Sequence, residues 1–225
     1  MAVETLKVDF FANGLCFHCN MAQRELQEYL QFHSETESAW GEKNNDLQSN
    51  LNEILNKYPE EHHQDIVESY SWELHQNQYK FPNMHRESLI ITIYNFLESE
   101  LNQLCGIIAE SIDRKIRLKD LHGKGINRAL LYLSKVAEFE MSKMGSELPY
   151  IKNVNLLRNQ IVHSGGVLPD NADHELNIFV MQNLNLSGQP GHSVTLDSEF
   201  IGEFIERLIA FFNRLDEEIQ LFMKR

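Results

Sequence analysis

The sequence predicts an all-α fold, an up-and-down helical bundle that follows a helical N-terminal extension. Glycine and proline are scarce, with 11 and 5 residues among 225, and no proline lies between Pro82 and Pro149. Apolar residues over 85–225 recur at spacings of three and four, which is typical of amphipathic helices. Long helices with short connections favour a bundle over a sandwich of short strands. We divide the chain into an extension, 1–84, and a bundle, 85–225.

The extension is polar and mostly helical by pattern. Within residues 1–20, apolar and polar residues alternate as they would in a short strand, so this part is ambiguous. Residues 21–80 are rich in Glu, Gln and Asn, with sparse apolar positions. They predict two or three polar helices that are interrupted near Gly41 and Pro59.

The bundle contains four predicted amphipathic helices. The first begins after Pro82 with Asn83 as its N-cap, and the third begins after Ser146, which can also cap a helix. A glycine pair ends the third helix. The predicted ranges are 84–112, 126–145, 147–164 and 198–222.

The segment 167–196 lies between the last two predicted helices. It contains one apolar run, Leu176–Met181, followed by the turn signals Ser187-Gly188 and Pro190-Gly191. We interpret it as a loop, and a small β-hairpin inserted between the helices is the alternative.

The number of cysteines and the hydropathy of the chain indicate the cellular compartment of the protein. Three cysteines fit a reducing environment without a disulfide framework. The first residues include acidic side chains and lack the apolar run of a secretory signal. No stretch approaches the roughly 18 consecutive apolar residues of a membrane span. These observations predict a cytoplasmic protein without a membrane partner.

The third bundle helix ends in a group of polar residues that could carry chemistry. Arg158 is followed directly by Asn159 and, five positions after Arg158, by His163. Such a spacing arises by chance about once in a chain of this composition, and Arg117 with His122 also fits it. The Arg158–His163 pair is better placed, because it follows an apolar helical stripe and precedes a glycine pair.

This arrangement resembles the R-x4-6-H motif of HEPN domains, which are compact helical bundles. The order of the helices over 85–225 is also similar, with the motif on the third helix and an aromatic-rich helix at the end. Residues 1–84 show no such resemblance. The resemblance implies a metal-independent endoribonuclease without a cofactor, in a toxin, antiphage or stress-response role. It also implies an RNA substrate, a homodimer, and an antitoxin or other regulatory protein as a further partner.

The resemblance also assigns roles to the three residues. His163 would act as general acid and base, and Arg158 would stabilise the negative charge on the phosphate. Asn159 would position one of them, since Asn159 and His163 are four residues apart and share a helix face. Cleavage would yield a 2′,3′-cyclic phosphate and a 5′-hydroxyl.

Two other interpretations stay open. Inactive HEPN members act as binding modules, so the chain could be a non-catalytic dimeric adaptor for RNA, a nucleotide or a protein. It could also be an unrelated structural bundle, in which Arg158 is a surface residue and His163 caps a helix. One toxin subgroup carries Tyr two residues after the His. Gly165 stands at that position here, so the regulation of that subgroup by Tyr modification is not expected.

Other candidates carry weaker signals. Cys16 and Cys19 have the spacing of half a zinc site, but no second cysteine pair follows, so we predict no metal site. The pair His62-His63 follows two glutamates and is interpreted as a solvated helix start. Glu98 and Glu100, on the first bundle helix, are candidate general bases.

The negative charge is distributed unevenly. The chain has a net charge of -13, and residues 1–84 hold 14 acidic against 5 basic residues. Residues 103–165, by contrast, hold 10 basic and 6 acidic residues and end at the motif. The overall acidity counts against indiscriminate nucleic-acid binding, while the basic segment leaves room for a local RNA site. We hypothesise that the acidic extension limits access to that site.

Overall fold

The computed structural model describes residues 14–111 and 116–224, and these residues confirm the all-α helical fold. A π-helical segment, Gln76–Lys80, connects α2 directly to α3. Within the described residues the strands are limited to one short antiparallel pair. The elements are α1 (Leu15–Leu55), α2 (His63–His75), α3 (Phe81–Ser111), α4 (Gly125–Lys135), α5 (Glu147–Ser164), α6 (Glu175–Gln182), β1 (Leu186–Ser187), β2 (Thr195–Leu196) and α7 (Ser198–Phe222).

The third and fourth predicted bundle helices have the predicted bounds and form α5 and α7. The second, predicted over 126–145, is shorter, because α4 ends at Lys135 and Glu138 has a φ angle of +59°, which no α-helix contains. The hairpin alternative is also confirmed, because β1 and β2 pair antiparallel with Leu186 opposite Leu196. The apolar run Leu176–Met181, however, lies in helix α6. His174 caps this helix, its Nδ1 accepting a hydrogen bond of 3.1 Å from the backbone N–H of Leu176.

The predicted interruption at Gly41 is wrong, because α1 continues through this residue. Gly41 is exposed, and a Cβ atom there would meet nothing within 4 Å. Glycine in an exposed helical position costs only about 1 kcal/mol relative to alanine, and the burial of leucines on either side of it favours the helix. The predicted break near Pro59 is confirmed by the gap between α1 and α2.

Asn83 does not cap the first bundle helix, because α3 already begins at Phe81. The side chain of Asn83 instead donates to Glu87 Oε1 at 2.7 Å and accepts from the backbone N–H of Leu196 at 3.3 Å. The predicted end near Ile112 lies just outside the described residues, and so does most of the ambiguous segment at the N-terminus.

The chain forms two compact units, each made of several segments. Of the described residues, the first contains 14–28, 91–111, 116–158 and 203–224. Its core is an apolar set from α1, α3, α4, α5 and α7. Leu26, Ile93, Leu97, Leu101, Leu104, Leu133, Val154, Leu157, Phe204, Leu208, Phe211, Leu215 and Ile219 are all buried there.

The second unit contains residues 29–90 and 159–202. It includes α2, the π segment, α6 and the β-hairpin, together with parts of the longer helices. Its buried apolar residues include Leu51, Leu89, Ile90, Ile161, Leu168, Phe179, Val180, Val194, Leu196 and Phe200. Both units draw on residues from either side of position 84, and the separation of 1–84 as an extension stays a prediction.

Candidate functional site

The motif residues lie on the last two turns of α5. Arg158 is half-buried, and its Nη2 donates a hydrogen bond of 3.1 Å to Asn95 Oδ1 on α3. Tyr94 is next to this pair. Burial raises the pKa of Tyr94, the charge of Glu98 adds to that rise, and the positive charge of Arg158 opposes it. The guanidinium of Arg158 is therefore held in position by α3 of the same unit.

The last turn of α5 exposes His163 to solvent. Asn159 lies one turn before His163, and the spacing of four residues places both on one face of the helix. The helix ends at Gly165 and Gly166, which have φ angles of +58° and +77°. Glycine adopts such angles without steric cost, and the backbone N–H of Gly166 donates to the carbonyl of Gln160 at 3.2 Å. The glycine pair thus ends the helix directly after the exposed imidazole.

Glu87 is a candidate that the sequence did not single out. A Cβ atom on Gly166 would lie 3.4 Å from Glu87 Oε1, so this carboxyl packs against the end of α5 within the second unit. Burial raises the pKa of Glu87, and the hydrogen bond from Asn83 opposes that change. No local sequence pattern could have indicated this contact, because 79 positions separate the two residues.

Glu98 and Glu100, the two candidate general bases, contact the start of α4 and His18, respectively. Glu98 lies against the first residue of α4, since a Cβ atom on Gly125 would be 3.4 Å from Glu98 Oε2. A carboxylate at a helix N-terminus interacts favourably with the helix dipole. Glu100 lies 3.6 Å from Nε2 of His18, and burial raises the pKa of Glu100.

The weaker candidates are dispersed. Arg117 precedes a single 3₁₀ turn, Leu118–Asp120, so Arg117 and His122 do not lie on a common helix. Cys19 is buried, and burial raises its pKa, which disfavours the thiolate that a metal needs. His63 Nε2 contacts the carbonyl oxygen of Tyr58 at 2.9 Å.

A cluster that the sequence analysis missed lies in the second unit. His33 and Glu37 on α1 and His85 on α3 bring one ligand atom each to within 4.8 Å of one another, the kind of set that can hold a metal ion. His33 and Glu37 are four residues apart on one helix, which was a readable signal, but His85 is remote in sequence.

The side chains of the cluster hydrogen-bond to one another and to neighbouring protein groups. His33 Nε2 donates to the carbonyl oxygen of Ser198 at 2.9 Å, so His33 Nδ1 can accept from His85 Nε2 at 3.1 Å. Arg86 donates to both carboxylate oxygens of Glu37, at 2.7 and 2.6 Å. Because each group already has a protein partner and a guanidinium occupies the carboxylate, we assign the cluster a structural role.

The histidine pair predicts a pH-dependent stability. Burial lowers the pKa of His85, His33 and Arg86 lower it further, and Glu37 opposes them. Below the ordinary histidine pKa of about 6.5, the unfolded state then binds more protons than the folded state, so stability falls as the pH falls. We expect the urea midpoint to decrease from pH 7.5 downward through this range, and the decrease to be smaller in His85→Gln.

A control separates this histidine from the others. Burial also lowers the pKa of His18 in the first unit, so part of the pH dependence should survive in His85→Gln. The exposed His192→Gln should keep the full dependence. An unchanged slope in His85→Gln would contradict the assignment.

No protein-family model, curated protein sequence or solved structure matches the chain. Among the described residues, no helix has the length and the apolar sequence needed to cross a bilayer.

Proposed function

We propose that this protein is a metal-independent endoribonuclease of the HEPN type. The observation that carries the proposal is that α5 bears both Arg158, fixed by Asn95, and an exposed His163 on its last turn. An exposed imidazole can exchange protons with a bound RNA. A guanidinium that is already held by a hydrogen bond loses little freedom when it binds a phosphate.

The reaction would be an internal transesterification. A neutral His163 takes the proton of the ribose 2′-hydroxyl, the 2′ oxygen forms a bond to phosphorus, and the bond from phosphorus to the 5′ oxygen breaks. A protonated imidazole gives its proton to the leaving 5′ oxygen. Arg158 donates hydrogen bonds to the non-bridging oxygens, and Asn159 orients the imidazole from the same helix face. The products are a 2′,3′-cyclic phosphate and a 5′-hydroxyl.

A homodimer would complete this chemistry. The step needs a base and an acid together, and each chain brings a single His163 to the motif. Two motifs related by a two-fold axis would supply both groups. The basic stretch 103–165, which leads to the motif, supports a local RNA site in an otherwise acidic chain. We place the activity in the cytoplasm, in a toxin, antiphage or stress-response role under an antitoxin or other regulator.

The test uses the purified chain and a pool of single-stranded RNA in EDTA. We expect cleavage, with 3′ ends that become ligatable only after the cyclic phosphate is removed, and 5′ ends that are free hydroxyls. Products with 3′-hydroxyl ends, or cleavage that depends on an added metal, would overturn the mechanism. RNA binding without any cleavage would instead support the non-catalytic adaptor.

A further inference from the structure

A polar cleft in the second unit has no part in the proposed cleavage. It has a volume of about 330 Å³ and lies between α1, the π segment and the start of α3. Trp40 and Asn44 line it from α1, Asn77 and Tyr79 from the π segment, and Arg86 from α3. The volume is at the lower end of the range for small-molecule sites, about 300–1,000 Å³.

Two asparagines that line this cleft each have one amide atom without a hydrogen-bond partner within the described residues. Asn77 is only 3% exposed, and its Nδ2 donor is unpaired. The Oδ1 acceptor of Asn44 is also unpaired. Buried amide groups are nearly always hydrogen-bonded, because leaving one unpaired costs folding free energy. The charged groups of Glu37 and Arg86, which line the same cleft, pair with each other, so the two unpaired amide atoms stand out as groups prepared for an outside partner.

The backbone beneath Asn77 is also unusual. Asn77 and Tyr79 belong to the π segment Gln76–Lys80, where the chain leaves the α-helical hydrogen-bond pattern. Such segments are rare, and they are frequently found at functional sites. The helical irregularity and the unpaired Nδ2 atom are independent observations, and both occur at Asn77.

The aromatic side chains indicate the shape of the ligand. Tyr79 is 62% exposed, with the ring of His75 beside it at 5.7 Å between centroids, so much of the Tyr79 ring is accessible to a planar group. Trp40 is held by Phe81, with ring centroids 5.3 Å apart, and by Lys43, whose Nζ lies 5.2 Å from the Trp40 ring. A nucleobase combines a flat aromatic face with hydrogen-bond donors and acceptors on its edge, and proteins bind bases by stacking and edge contacts together.

We propose that this cleft binds a nucleobase, with Asn77 donating to a base acceptor and Asn44 accepting from a base donor. The base could belong to a free nucleotide or to an RNA strand. If the base belongs to a free nucleotide, the inference stands without the ribonuclease function. If it belongs to an RNA strand, the inference rests on the proposed ribonuclease function and gives the enzyme a contact with RNA away from the cleaved bond.

The experiment uses the intrinsic fluorescence of Trp40. The chain has two tryptophans, and the other, Trp72, is 67% exposed, so Trp72→Phe leaves Trp40 as the only reporter. His163→Ala in the same background prevents cleavage of RNA. We expect saturable fluorescence changes with AMP, CMP, GMP or UMP, and none with ribose 5-phosphate. If a ten-nucleotide RNA binds at least 10-fold more tightly than any mononucleotide, the base belongs to an RNA strand. If the RNA and the mononucleotides bind with equal affinity, the ligand is a free nucleotide.

Asn77→Leu separates a binding role from a structural one. Leucine has a similar volume and removes the unpaired amide, so the melting temperature should hold or rise while nucleotide affinity falls at least 10-fold. Asn45→Leu, an exposed neighbour on α1, is the matched control and should bind normally. The absence of saturable binding to any nucleotide or RNA would overturn the proposal. Undiminished binding by Asn77→Leu, or a large loss of its stability, would do the same. RNA cleavage without nucleotide binding would leave only the ribonuclease proposal standing.

Discussion

Replacing His163 by alanine is expected to lower the rate of RNA cleavage by about 10²–10⁴-fold, the usual contribution of a general acid or base. His163 is exposed, so the unfolding free energy should stay within about 0.5 kcal/mol of the starting protein. Arg158→Ala should lower the rate by a comparable factor, because it removes the guanidinium that we propose binds the phosphate. It should also cost about 1 kcal/mol of stability through the lost hydrogen bond to Asn95. Single-turnover cleavage assays and urea unfolding measure the two effects.

The chain offers a matched control with the same spacing. Arg117 and His122 also stand five residues apart, but both are exposed and lie outside the helices. Arg117→Ala and His122→Ala should therefore cleave RNA at the original rate. Arg158→Lys should recover only part of the activity, since lysine lacks the planar fork of the guanidinium. Cleavage that persists in both His163→Ala and Arg158→Ala would refute the site assignment.

Replacing Arg86 by alanine is expected to lower the unfolding free energy by about 2–4 kcal/mol. Arg86 joins three elements, because it binds both carboxylate oxygens of Glu37 on α1 and donates to the carbonyl of Leu196 on β2 at 2.6 Å. The side chains of Arg86 and Glu37 are 16% and 20% exposed. Removing one partner of a largely buried ion pair leaves the other charge without compensation, which is the main cost. Urea denaturation followed by circular dichroism measures it.

Further variants test whether the ion pair between Arg86 and Glu37 is the cause of the lost stability. The double variant Arg86→Met with Glu37→Leu should recover much of the loss, because no unpaired charge remains. Arg86→Lys should be intermediate, since it cannot reach both oxygens and the carbonyl together. Arg24→Ala removes an exposed arginine and should change stability by less than about 0.5 kcal/mol. A loss of less than about 1 kcal/mol in Arg86→Ala would show that water replaces the guanidinium without difficulty.

The sequence predicted the fold class and the bounds of α5 and α7 because local signals agreed there. Ser146 and the glycine pair at Gly165 mark the ends of α5, and a strict apolar stripe defines α7. The motif could be located on its helix for the same reason. The contact of Arg158 with Asn95 could not be predicted, because it depends on how α3 and α5 pack and not on spacing along either helix.

The errors arose where tertiary packing outweighed local preference. Gly41 was interpreted as a helix break, although burial of leucines along α1 outweighs the small cost of one exposed glycine. The run Leu176–Met181 is apolar at every position except Asn177. Periodicity cannot distinguish a helix as short as α6 from a strand when nearly every position is apolar. The cleft proposed to bind a nucleobase could not be predicted from the sequence. Asn44 and Asn77 are distinguished from other asparagines only by a buried amide atom without a hydrogen-bond partner, which depends on the fold.

The π segment Gln76–Lys80 also has a consequence for how the chain could have changed in evolution. A π turn holds about one residue more than an α turn, so one inserted residue within a long helix can be absorbed as a π segment. A chain one residue shorter there would join α2 and α3 as one regular α-helix. A single-codon insertion is therefore enough to create the bulge that carries Asn77 without ending the helix on either side of it.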